Sequence, residues 1–200
     1  MITASTIIED SYIARGISPI AGVDEAGRGP LAGPVVACAV ILPVGIVIEG
    51  VNDSKKIIEK RRHELAARIK TEALAYAFGI ANVSIIEEIN ILQATMLAMR
   101  NAVEGLKVAP NFVLVDGNRL PVMPYEAICI KKGDSASHLI AAASILAKVE
   151  RDNIMLKLHQ EYPLYGFDKH KGYGTKTHTD AIAKYGLCPA HRASFCRNFY

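Results

Sequence analysis

Residues 20–42 read IAGVDEAGRGPLAGPVVACAVIL, and the order of signals in that stretch decides the fold. Residues 20–23 are apolar and read as a short strand. Asp24 and Glu25 follow, and then Ala26-Gly27-Arg28-Gly29-Pro30, a turn-like run. Residues 35–42 are rich in β-branched side chains and read as a second, buried strand. Two adjacent acids thus stand between two buried strands, at the mouth of a glycine-rich turn. Gly27-Arg28-Gly29-Pro30-Leu31-Ala32 formally fits the glycine pattern of dinucleotide-binding turns. That pattern needs a helix directly after the glycines, and here a strand follows. Residues 31–48 carry no charge, long enough for a membrane span, but Gly33, Pro34, Pro43 and Gly45 break the run into strand, turn and a short apolar piece.

Outward from this stretch, strands come first and then alternate with helices. Asp53-Ser54-Lys55-Lys56 opens a helix to about residue 74, with Ile58, Leu65, Ala66 and Ile69 on its apolar face. Residues 75–83 read as a strand. Ser84 with Glu87 three positions on forms a capping box for a helix to about residue 106. Residues 111–115 form a strand ending at Asp116-Gly117, and residues 127–130 another. Asp134 or Ser135 caps a long Ala-rich helix to about residue 160, and a basic helix covers residues 176–185. The pattern predicts an α/β domain with a mixed sheet flanked by helices and a small helical C-terminal appendage. The expected division is a catalytic core over residues 1–160 and a basic, aromatic-rich segment over 161–200 that packs on it and contacts substrate.

Half of the 200 residues are hydrophobic and 22% are charged, which suits a globular chain with a sizeable core. The net charge of +3 names no partner, but its distribution is uneven. Residues 166–200 hold Lys169, Lys171, Lys176, Lys184, Arg192 and Arg197 against Asp168 and Asp180. They also hold Phe167, Tyr173, Tyr185, Phe195, Phe199 and Tyr200. Basic residues interleaved with aromatics suit a nucleic-acid backbone, and a solvated face is the plainer alternative. The four cysteines form no Cys-x-x-Cys pair, and no signal peptide is evident, so a reducing cytoplasm is the expected location. His178, Cys188, His191 and Cys196 offer a zinc-module alternative, although they lack a second close ligand pair.

Asp24, Glu25, Asp116 and Asp134 are the candidate chemical groups. Each has a modest explanation, as a strand-end turn former or a helix cap. Together, at strand ends and a helix mouth, they would repel one another without cations between them, and all-oxygen ligands suit Mg²⁺ or Mn²⁺. Two such ions about 4 Å apart can stabilise both oxygens of a phosphodiester displacement. Neighbouring residues of a regular strand point to opposite faces, so the strand is expected to end or bulge at Glu25-Ala26.

The run Gly22-Val23-Asp24-Glu25-Ala26-Gly27-Arg28-Gly29-Pro30-Leu31-Ala32-Gly33-Pro34 resembles the opening motif of ribonuclease HII, the prokaryotic type 2 ribonuclease H. The likeness continues in order through Asp53-Ser54-Lys55-Lys56, Asp116-Gly117-Asn118, Gly133-Asp134-Ser135 and the alanine-rich block ending in Arg151-Asp152. Lys171-Gly172-Tyr173-Gly174-Thr175 and His191-Arg192-Ala193-Ser194-Phe195 complete it. The resemblance implies a ribonuclease H-like fold and an endoribonuclease that cuts the RNA strand of RNA–DNA hybrids. It further implies cutting at single ribonucleotides embedded in duplex DNA, with two Mn²⁺ or Mg²⁺ ions, leaving 3′-hydroxyl and 5′-phosphate ends. It assigns Asp24, Glu25, Asp116 and Asp134 as catalytic metal ligands. Gly27, Arg28 and Gly29 would read the ribose 2′-hydroxyl, Ser54 and Lys55 would lie near phosphates, and Tyr173 would pack on the sugar at the RNA–DNA junction. Neither an N-terminal domain like that of ribonuclease HIII nor a clamp-binding tail like that of archaeal relatives is expected. A monomer without membrane contact or an obligate protein partner is expected as well.

Overall fold

A computed structural model describes residues 3–199. Tyr200, counted above among the tail aromatics, lies outside the described residues. Five strands form one mixed sheet: β1 (Ile20–Ala26), β2 (Val35–Ile41), β3 (Ala75–Ala81), β4 (Phe112–Asp116) and β5 (Ala127–Ile130), in the order β3-β2-β1-β4-β5. β2 runs antiparallel to β1 and β3, whereas β1, β4 and β5 are mutually parallel neighbours. The expected α/β class and mixed sheet are borne out.

Alternation along the strands builds two cores. On one face Cys38, Val40, Phe112 and Leu114 pack under α2 (Glu59–Glu72) and α5 (His138–Glu161). On the other, Ala37, Ala39, Val113 and Val115 meet α3 (Val83–Glu104) through Ala98 and Met99. Each fully buried leucine or isoleucine, such as Leu114 or Ile140, contributes roughly 1.5–3 kcal/mol relative to exposure. Gly22 explains how closely α5 sits on β1: a Cβ there would lie 2.3 Å from the Leu139 carbonyl carbon. No helix among the described residues is long and apolar enough to cross a membrane.

Several local expectations need correction. A first helix, α1 (Ile7–Ile13), precedes the sheet where the sequence reading placed none. The helix expected from Asp53 is divided. A 3-10 turn, Ser54–Lys56, is capped by Asp53, extended Ile57 follows, and α2 begins only at Glu59. Asn82, not Ser84, caps α3 by accepting the Ile85 N–H at 3.0 Å, while Ser84 donates to Asn82. Asn90 then interrupts α3 with φ 65° and accepts the N–H groups of Leu92 and Gln93, restarting the helix as a second cap. Asp134 lies within a short helix of its own, α4 (Gly133–Ala136), and Ser137 caps α5.

The remaining elements are α6 (Phe167–His170), α7 (Lys176–Tyr185) and α8 (Ala193–Cys196), with a 3-10 turn at Pro163–Tyr165. The 3-10 turn, α6 and α7 gather around Ala32, Met155, Tyr165 and Phe167, a small apolar cluster on the flank of α5, while α8 packs through Cys196 on Leu31 and Ile182. Two of the tail's charged and aromatic residues are interior groups: Arg192 and Phe167 are fully buried. The basic count of residues 166–200 therefore overstates the charge available to a phosphate backbone.

Candidate active site

β1 and β4 lie side by side and in parallel, so their C-terminal ends bring Asp24 and Asp116 to one edge of the sheet. Ligand oxygens of Asp24, Glu25 and Asp116 all lie within 4.8 Å of one another. The strand ends at Ala26, within the expected Glu25-Ala26 step, but without a bulge at Glu25. The pairing runs without interruption from Gly22↔Val40 through Glu25↔Ala37 to Ala26↔Val36. What ends is the other partnership, since β1 pairs with β4 only as far as Val23↔Val115. Past that point β1 is open on one side, and the longer Glu25 side chain reaches the cluster from there.

Burial and mutual repulsion strain this arrangement. Burial, followed by the charges of Glu25 and Asp116, pushes the Asp24 carboxyl well above the usual carboxylate range. A hydrogen bond from Ser144 and the Glu25 N–H, at 2.7 Å from Oδ1, oppose that rise. Glu25 is raised by burial and by Asp116, against Arg28, whose guanidinium sits 3.4 Å from its Oε1. Asp116 accepts the Gly133 N–H at 2.6 Å, which ties β4 to the start of α4. Asp134 stands beside the trio without joining it. Burial, Asp53 and Asp116 raise its carboxyl, and Lys55 and Lys56 lower it. Burial disfavours the Lys55 ammonium, yet Asp24, Asp134, Asp53 and Asp116 together raise its pKa above the ordinary value. A set of oxygen donors crowded this closely, with Asp24 and Glu25 discouraged from ionising by burial and by the neighbouring acids, fits hard divalent cations.

Support for Lys55 comes from α5. Arg62 donates to the carbonyls of Ser54 and Ile57 at 3.1 and 2.8 Å and meets Asp152 at 3.4 Å, which Lys148 also grips at 2.6 Å. The Ser54 and Ser144 hydroxyls are 2.9 Å apart, so Ser54 reaches Asp24 through Ser144.

The segment from Gly27 to Pro34 is held from beneath by two buried arginines, of which Arg192 reads from sequence as one of the basic tail residues. Arg192 donates to the carbonyls of Gly27 (2.6 Å), Arg28 (3.0 Å) and Gly33 (2.7 and 2.9 Å). Arg151 donates to Pro34, Ala32 and Lys171, each at 3.0 Å. Neither has a carboxylate ion-pair partner among the described residues. Burial, then the neighbouring Arg151 charge, lowers the Arg192 pKa to about 9. Gly27 has φ +102°, and a Cβ there would lie 2.1 Å from Arg151 Nε, so only glycine fits. Arg28 and Gly29 remain exposed. Tyr173, 45% exposed, follows Gly172, whose carbonyl accepts the Leu31 N–H at 2.8 Å, and the Arg151 guanidinium lies 6.0 Å from its ring centroid. One patch therefore carries the acids, the Gly27–Gly29 turn and Tyr173.

The zinc alternative does not survive the geometry. His178 Nε2 faces His191 Nε2 at 3.0 Å, His191 Nδ1 is taken up by Cys188, and Cys196 Sγ points to the Leu31 carbonyl. The acid trio is the one cluster among the described residues with metal-compatible spacing.

A sequence model of the family described as Ribonuclease HII matches residues 21–198. A curated ribonuclease HII from Caldicellulosiruptor bescii is 51% identical over 191 residues, covering 96% of this chain and 93% of its own. Among solved structures, ribonuclease H2 from Pyrococcus horikoshii superposes with TM-score 0.73 at 28% identity, covering 90% of this chain and 96% of that one. The ribonuclease HII of Archaeoglobus fulgidus, solved as a complex with PCNA, gives TM-score 0.67 at 26% identity, covering 86% and 93%. With a match that takes in both the acid cluster and the clamped turn, this chain belongs to the ribonuclease HII family and is a divalent-metal-dependent endonuclease of the ribonuclease H type.

Proposed function

We propose that the protein cuts the RNA strand of RNA–DNA hybrids and also incises duplex DNA at single embedded ribonucleotides, using two divalent ions. The observation that carries this reading is the crowding of Asp24, Glu25 and Asp116 oxygens within 4.8 Å beside an exposed glycine turn. Asp24, Glu25 and Asp116 would hold the ions, Mg²⁺ or Mn²⁺, with Asp134 as the fourth acid. Bound there, the ions supply Lewis-acid stabilisation of charge on the attacking and leaving oxygens. Water adds to phosphorus as the bond to the 3′ oxygen breaks, leaving 3′-hydroxyl and 5′-phosphate ends.

The chain's own groups select the substrate. The 2′-hydroxyl is what separates RNA from DNA, and glycine lets backbone N–H and C=O groups come close to it. Arg28 and Gly29 are exposed on a turn whose inner carbonyls are already occupied by Arg192, which leaves its outer edge for substrate. Ser54 and Lys55 meet phosphate, and Tyr173 offers a flat face to the sugar. In this reading residues 161–200 line the substrate alongside a core formed by residues 1–160.

The test is cleavage with Mg²⁺ or Mn²⁺ of two duplexes, a long hybrid and a DNA carrying one ribonucleotide, against an all-DNA control. Cutting of both, with no cutting of the control, is expected. Failure on the single-ribonucleotide duplex from neutral to alkaline pH would remove the incision activity.

A further inference from the structure

The histidines that fail as a zinc site form an ordered line instead. Cys188 N–H donates to His191 Nδ1 at 3.0 Å, and the Cys188 carbonyl lies farther from that atom, at 3.3 Å. His191 Nε2 lies 3.0 Å from His178 Nε2, and His178 Nδ1 lies 2.9 Å from the Tyr173 carbonyl oxygen. The ends of the line fix its protons. A carbonyl only accepts, so His178 Nδ1 carries hydrogen and its Nε2 is bare. A backbone N–H only donates, so His191 Nδ1 is bare and its Nε2 carries the hydrogen given to His178. Every link is satisfied in one direction, with both rings neutral and both buried. The Tyr173 carbonyl also accepts the Thr175 N–H at 2.8 Å, so Tyr173 is tied to the first turn of α7 twice.

We propose that His178 and His191 are positioning residues for Tyr173, holding its backbone in place against the substrate-facing turn through a two-imidazole hydrogen-bonded line. The proposal rests on the reading of Tyr173 as the residue that packs on the substrate sugar. The line joins the same parts that frame the turn. Ala32 bridges His191, the Leu31 carbonyl accepts the Arg192 N–H, and the Leu31 N–H donates to Gly172. Tyr173 is thereby fixed relative to Gly27–Gly29 from both of its neighbours in space.

The line admits no third proton. A proton added to His178 faces the His191 N–H, and one added to His191 faces the Cys188 N–H. The groups around it reinforce this. His170 of α6 stacks on His178 at 4.4 Å, and Tyr165 and Phe167 close the apolar side. Arg151 lies beyond Tyr173, Cys188 touches His191, and Asp168 and Lys171 flank His170.

The deciding experiment is a double-mutant cycle read as kcat/KM on a duplex with one ribonucleotide. Its members are the unaltered protein, Tyr173→Ala, His178→Phe, the double variant and His178→Asn, each checked by thermal melting. His178→Phe is expected to lower kcat/KM about tenfold alone and less than about twofold in the Tyr173→Ala background. His178→Asn, whose amide N–H can reach the same carbonyl, recovers most of the loss. Equal losses in both backgrounds, or an Asn variant no better than Phe, would overturn the proposal. A loss from Tyr173→Ala with none from His178→Phe sinks the line alone. No loss from Tyr173→Ala sinks the sugar-packing reading and the line with it. Should His178→Phe fail to fold, His191→Phe completes the same cycle, because it removes both the donor toward His178 and the acceptor for Cys188.

Discussion

Arg192 donates to the Gly27 carbonyl at 2.6 Å, across 165 residues of sequence. A side chain that would read as a phosphate-binding cation instead donates four hydrogen bonds to the backbone of Gly27, Arg28 and Gly33, beside the acids. Its charge is desolvated, and three carbonyls depend on it.

Arg192→Ala leaves the Gly27, Arg28 and Gly33 carbonyls without these partners. At about 1–3 kcal/mol per buried unsatisfied group, a loss of roughly 4 kcal/mol is expected in urea unfolding, together with most of the activity. Arg192→Lys keeps the charge but cannot reproduce the fork, and should recover less than half of that loss. An alanine variant that melts within a degree of the parent would show that the clamp is dispensable.

Gly27 and Gly29 should part company. Gly27→Ala places a methyl group against Arg151 at a left-handed φ and should prevent stable folding. Nothing lies within 4 Å of a Cβ on Gly29, and its φ is ordinary. Gly29→Ala is thus expected to melt unchanged yet cleave at least about tenfold more slowly, if that backbone meets the ribose. Unchanged cleavage by Gly29→Ala would show that substrate does not approach there.

Asp116→Asn should abolish turnover while leaving hybrid binding measurable by fluorescence anisotropy. Asn can still accept the Gly133 N–H, so the link from β4 to α4 is kept. Removing one of the charges that repel Asp24 should also raise the melting temperature in chelator. A variant that turns over normally would remove Asp116 from the site.

Acid should loosen the tail through His178. Burial, mainly, lowers its pKa from 6.5 to about 4 in the folded protein. Between those values the unfolded chain binds the extra proton, so stability present above pH 6.5 is lost as pH falls toward 4. The contribution is roughly 3 kcal/mol at full extent. Unfolding free energies measured across that window should slope less steeply for His178→Asn than for the parent.

Much of the site was legible because its chemistry is local. Asp24, Glu25 and the Gly27–Gly29 turn are neighbours in sequence, and Asp116 ends an obvious apolar strand. The helix cap assigned to Ser84 was plausible on spacing, but Glu87 is engaged elsewhere, accepting from the Ser194 hydroxyl at 2.7 Å. Arg151 and Arg192 were invisible as turn supports, since a charged side chain reads as exposed unless a carboxylate partner explains its burial. Backbone carbonyls are such partners, and they carry no sequence signature. The expected bulge at Glu25 failed for a related reason. Strand alternation describes where a side chain starts, and at an open strand end a longer side chain can still reach round.

The clamp on the turn also orders events in time. A chain emerging from a ribosome presents β1, β2, β4 and α5 early, and with them the sheet and its acids. The Gly27–Gly29 turn waits for Arg192, which emerges long after the residues it secures. The scaffold of a nucleic-acid-cutting site can therefore form first, while its recognition edge is fastened only once Arg192 has emerged.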